Sequence, residues 1–96
     1  MILLEYVFKN KTDILMTIID VRSPEEYNSG HVENSINIPL QEIKDHVEEI
    51  KSFTQPLVLC CASGARSGQA TAFLKSEGIA CSNGGSWIDV QQKNNY

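Results

Sequence analysis

The chain has 96 residues, a formal net charge of −4 and a hydrophobic fraction of 42%. That size suits one domain with a single core, the acid excess leaves no basic footprint for nucleic acid or an anionic membrane, and no stretch approaches the ~18 apolar residues a membrane helix needs. The three cysteines are an odd count with two adjacent, Cys60 and Cys61, which suits neither a disulfide framework nor zinc spacing and points to a reducing, cytoplasmic compartment.

Residues 1–96 read as one domain, with 91–96 as a loose tail. Leu3, Leu4, Val7 and Phe8 recur at helical spacing and predict a first helix. The β-branched run ILMTIIDV, 14–21, predicts a buried strand ending at Asp20 and Val21. SPEE follows: Ser23 as N-cap, Pro24 at the first helical position and Glu26 reaching back form a capping box. Gly30 limits that helix to about two turns.

SINIP predicts a second short strand, stopped by Pro39. Leu40, Ile43, Val47 and Ile50 then mark one face of a helix, opposite a charged face that includes His46. LVLC predicts a third strand. Beyond a loop, Ala70, Phe73 and Leu74 define another helix, closed by Gly78. IACS reads as a fourth strand, NGG as a turn, and SWIDV as the start of a last short helix. Alternating strands and helices imply an α/β fold, a mainly parallel sheet with helices on both faces. The working site of such a sheet lies beyond the carboxyl ends of its strands.

The chemistry concentrates in CCASGARS, 60–67. Ala62, Ser63, Gly64 and Ala65 are small enough for the loop to curl with its N–H groups pointing inward as an anion-binding nest. The following helix adds its positive end, and Arg66 adds a charge that does not titrate away. A cysteine at the mouth of this cup is favoured as thiolate, the nucleophilic form. Five residues separate Cys60 from Arg66 and four separate Cys61 from it, so either sulfur is a candidate. Cys60 continues the apolar strand and equally reads as a small core residue.

This loop, taken with IIDVR, EEYNSGHVENSINIPL and the closing GGSW, resembles the single-domain rhodaneses, the thiosulfate sulfurtransferase family, over about residues 14–90. The resemblance implies a rhodanese-like fold and persulfide-forming sulfur transfer. It puts the sulfur-carrying cysteine at Cys61 and its cradle at Ala62, Ser63, Gly64, Ala65, Arg66 and Ser67. Asp20 and Arg22 become structural support near the loop, and His31 a hydrogen-bonded turn residue. It implies no cofactor and no metal. The partners it implies are a small-molecule sulfur donor with a thiol or cyanide acceptor, or a protein in either role. The related dual-specificity phosphatases use a loop one residue longer, which would make Cys60 the nucleophile of a phosphatase or arsenate reductase. Rhodanese-like domains also serve as non-catalytic binding modules. The family often opens with a short strand before its first helix, and none is evident here. Cys81 reads as a buried strand residue rather than a resolving thiol. Trp87 is expected to pack the last helix against the sheet.

Overall fold

A computed structural model of the protein describes residues 17–93. The predicted first helix, the question of an opening edge strand and the start of the 14–21 run lie outside these residues. What is described of that run is β1, Thr17–Asp20. After it come α1, Pro24–Asn28; β2, Ile36–Asn37; a 3-10 helix, Leu40–His46; α2, Val47–Lys51; β3, Leu57–Cys61; α3, Ala65–Ser76; β4, Cys81–Ser86; and α4, Trp87–Lys93.

The four strands form one parallel sheet in the order β2-β1-β3-β4. Side chains alternate across a strand, so each strand feeds two cores. Ile19, Leu57, Leu59 and Cys61 join Ala70 and Leu74 of α3, Ile43 and Ile50 on one face. Ile18 and Cys60 join Val32 and Val90 of α4 on the other. The α/β architecture with helices on both faces is therefore as the alternation of elements predicts. No helix among the described residues is long and apolar enough to cross a membrane.

The capping box forms as read: Glu26 N–H donates to Ser23 Oγ at 3.2 Å and Ser23 N–H donates to Glu26 Oε1 at 2.9 Å. Three readings need correction. The amphipathic stretch over 40–50 is not one helix. It begins as a 3-10 helix and becomes α2 only after His46, whose φ of −115° and ψ of 17° interrupt the spiral. Burying Ile43 and Ile50 on the same face survives this change of pitch. NGG is not a turn between elements, because β4 continues through it to Ser86. Its pairing with β3 skips from Asn83, opposite Leu59, to Gly85, opposite Cys60, so Gly84 is a bulge. Only glycine fits there, since a Cβ would lie 2.7 Å from both Val58 Cγ1 and Val90 Cγ2. Finally, α4 runs through Lys93, into the stretch expected to be tail.

Candidate active site

The site is built where β3 ends and α3 begins. Gly64 is the N-cap of α3 with φ 105°, a left-handed conformation that favours glycine, and it has no side chain with which to cap. The first N–H groups of a helix have no partner within it. Cys61 supplies that partner. Its Sγ accepts from Gly64 N–H at 3.0 Å and Ser67 N–H at 3.4 Å, with Ser67 Oγ also at 3.4 Å. The sulfur thus caps the helix, and the inward-facing amides predicted for the loop are aimed at it.

The two adjacent cysteines have opposite surroundings. Burial pushes the Cys61 thiol up, but the Ser67 hydroxyl and the N–H groups of Ser67, Gly64 and Ser63 together bring it down to about 7. Both are buried, Cys61 at 1% exposure against the first core and Cys60 at 0% against the second, so the donors around Cys61 and not exposure set the two apart. Burial foremost, with the charge of Asp20, pushes the Cys60 thiol up to about 12. Beside Cys61 the loop offers the exposed Ala62, Ser63 and Ala65 to solvent. Cys81 is buried at the start of β4, and its thiol donates to Thr71 O at 3.6 Å.

Arg66 does not stand alone over the cup. Its Nη1 and Nη2 donate to Glu26 Oε1 and Oε2 at 2.7 and 3.0 Å. Arg66, and then the capping contacts with Ser23, hold the Glu26 carboxyl down at about 2. One carboxylate therefore closes α1 and clamps the end of the active loop. Sequence reading found the first role and missed the second, because the partners lie 40 residues apart. It also missed Asn83, whose amide reaches the loop from the bulged strand. Its Nδ2 donates to Gly64 O at 3.0 Å and its Oδ1 accepts from Ser67 Oγ at 2.6 Å.

Asp20 and Arg22 form a buried pair, with Arg22 Nε and Nη2 donating to the carboxylate at 2.7–3.0 Å. Arg22 Nη2 also donates to Gly30 O at 2.7 Å, and its guanidinium lies 4.9 Å from the centre of the Trp87 ring. Trp87 packs against the second core, as expected of it, and it also covers Gly30, where a Cβ would come within 3.0 Å of the ring. The pair's own contacts thus brace the Gly30–Trp87 corner, one strand end away from the cysteine loop. His31 stacks on Tyr27 and its Nδ1 lies 2.7 Å from Tyr27 O, as a turn residue would. His46 sits at the surface, 2.8 Å from Glu49. Among the described residues, no group of three or more His, Cys, Asp or Glu is placed to hold a metal ion.

A thiol of lowered pKa in a bowl of N–H donors is suited to nucleophilic attack and to holding an anionic sulfur. Comparison with known proteins agrees in kind. The profile of the rhodanese-like domain matches residues 4–95. The chain is 36% identical over 74 residues to thiosulfate sulfurtransferase PspE of Escherichia coli, an alignment covering 75% of this chain and 71% of that protein. It is 39% identical over 61 residues to the uncharacterized protein YqhL of Bacillus subtilis, which covers 64% of this chain but only 48% of YqhL, so the chain spans about half the length of that relative. Among solved structures, a rhodanese with anions from Escherichia coli is 36% identical with a TM-score of 0.71, covering 77% of this chain and 89% of that one. A rhodanese-related protein from Thermoplasma volcanium is 30% identical with a TM-score of 0.72, covering 94% and 87%. A cysteine loop at the strand end of a parallel sheet, the profile match and these relatives agree: the chain belongs to the rhodanese-like family.

Proposed function

We propose that this protein is a sulfurtransferase that carries sulfane sulfur on Cys61. The Cys61 thiolate attacks the outer sulfur of a donor such as thiosulfate. A new S–S bond forms, the old one breaks, and sulfite leaves with the electron pair. The terminal sulfur of the resulting persulfide lies in the cup lined by Ala62, Ser63, Gly64, Ala65, Arg66 and Ser67. A nucleophilic acceptor, cyanide in an assay or a thiol on a small molecule or protein, then takes the outer sulfur and regenerates the thiolate. No cofactor enters, and the double displacement runs as ping-pong kinetics.

The observation that carries this reading is the contrast between neighbours. Cys61 Sγ is the acceptor of the loop N–H groups, with its thiol brought down to about 7. Cys60 is walled into an apolar cluster, with its thiol pushed up to about 12. The relatives named as thiosulfate sulfurtransferases support the reaction class. The test is thiocyanate formation from thiosulfate and cyanide, run beside hydrolysis of an aryl phosphate. Activity that survives Cys60→Ser and vanishes in Cys61→Ser, with an adduct of about 32 Da on Cys61 for one sulfur atom, is the expected result. Phosphatase activity lost with Cys60→Ser refutes it, and silence in both assays from a folded protein leaves a binding module.

A further inference from the structure

Asn83 belongs to none of the motifs that point to the site, yet its side chain reaches the site from β4. The Gly84 bulge carries the chain past Asn83, and Gly85 N–H turns back to donate to Asn83 Oδ1 at 3.0 Å. Nδ2 donates to Gly64 O at 3.0 Å. Gly68 leaves room for this amide, since a Cβ there would sit 3.2 Å from Nδ2. A backbone donor at one end and a backbone acceptor at the other fix which end is oxygen. The oxygen end faces Ser67 Oγ at 2.6 Å.

Two oxygens that close need a proton between them, and an amide oxygen has none. The proton is therefore that of the Ser67 hydroxyl. Ser67 is fully buried, so solvent offers it no other partner. The same hydroxyl lies 3.4 Å from Cys61 Sγ. It has one hydrogen and two acceptors. While it donates to Asn83, it turns lone pairs toward the sulfur, which suits a thiol and not a thiolate.

We propose that Asn83 is a positioning residue that competes with the Cys61 thiolate for the single hydroxyl proton of Ser67 and so sets how readily that sulfur ionises. In the thiol form, Ser67 donates to Asn83 Oδ1 and accepts from Cys61 S–H. When the thiol gives its proton to solvent, the Ser67 O–H turns to Sγ, and Oδ1 keeps the Gly85 N–H. The inference rests on Cys61 being the reacting sulfur, as proposed above.

Other charges around the sulfur are largely matched. From β1, Asp20 and Arg22 pair with each other. From α1 and α3, Glu26 and Arg66 do the same. Cys60, next along β3, stays a neutral thiol. Asp89 of α4 is exposed, and Cys81 lies at the opposite end of β4 from Ser86, the residue paired with Cys61. Ser67 remains the adjustable contact.

The test is the pH dependence of Cys61 alkylation by iodoacetamide, read by peptide mass spectrometry on the full chain. Asn83→Ala is expected to lower the midpoint by about half to one pH unit, the scale of one hydrogen bond. In a Ser67→Ala background the same substitution is expected to shift nothing, which a merely structural role would not produce. Circular dichroism checks folding, and Asn83→Leu, similar in shape to the amide, replaces Asn83→Ala if that variant does not fold. A midpoint that stays put or rises overturns the proposal, as does a shift that persists without the Ser67 hydroxyl. Alkylation needs no turnover, so a protein silent with thiosulfate that still shows the coupled shift refutes the sulfurtransferase reading alone.

Discussion

The pH response of Cys61 tests the site most directly. An ordinary thiol titrates near 8.5, whereas the contacts from Ser67, Gly64 and Ser63 overcome burial and hold Cys61 at about 7. Near pH 7 that is about half thiolate against roughly 3% for an unperturbed cysteine, a ratio of about 16. A less basic sulfur is also a weaker nucleophile, by about fivefold over this shift. The net rate advantage at neutral pH is then only about threefold, so the midpoint decides and the absolute rate does not. Native protein is treated with iodoacetamide at a series of pH values, and labelling at Cys61 is followed by mass spectrometry. The expected profile has its midpoint near 7, with Cys60 unlabelled until the protein unfolds. The same shift acts on stability. A group whose pKa is lower when folded contributes stability above its unfolded value, and that contribution is lost as the pH falls through the folded value. Wild type should therefore gain about 1 kcal/mol over Cys61→Ser as the pH rises from about 7 to about 8.5, out of about 2 kcal/mol between well below and well above that window. A labelling midpoint at or above about 8.5, or native labelling of Cys60 in step with Cys61, refutes the assignment.

Glu26→Gln keeps an oxygen for the α1 cap but removes the charge that faces Arg66 at 2.7 Å. Freeing the guanidinium should lower the KM for thiosulfate by about two- to fivefold at low salt, an effect that fades as salt screens it; an unchanged KM would show that Arg66 does not reach the donor. Arg22→Leu strands the fully buried Asp20 carboxylate and should cost about 3–5 kcal/mol, a melting drop on the order of 15 °C or more by calorimetry. Gly84→Ala forces a Cβ to within 2.7 Å of Val58 and Val90 and should cost about 1–3 kcal/mol in urea unfolding, while lowering the midpoint of Cys61 alkylation because the bulge carries Asn83. Loss of stability without any change at Cys61 would separate the bulge from the site.

Much of the protein is legible in local pattern. The period of apolar residues separates strands from helices, the capping box starts α1, and four small residues between a buried strand and a helix predict a cup of amides. These features depend on neighbours a few residues apart, so the chain states them directly. Where a helix changes pitch is harder to read: the 40–50 stretch keeps its apolar face through His46, and only the backbone geometry, broken at His46, shows that the first half is 3-10. NGG carries the composition of a turn, and it becomes a strand bulge only because β3 lies alongside it.

The choice between Cys60 and Cys61 stayed open to counting, since both spacings to Arg66 exist in related chemistry. Tertiary structure gives the two different surroundings, because the pleat sends neighbouring side chains to opposite faces and only one face carries the start of α3, whose first N–H groups lack partners within the helix. The partners of the loop, Glu26 for Arg66 and Asn83 for Ser67, come from a helix and a strand distant in the chain. Composition names the donors and acceptors, but the crossing of β1, β3 and β4 decides which of them meet.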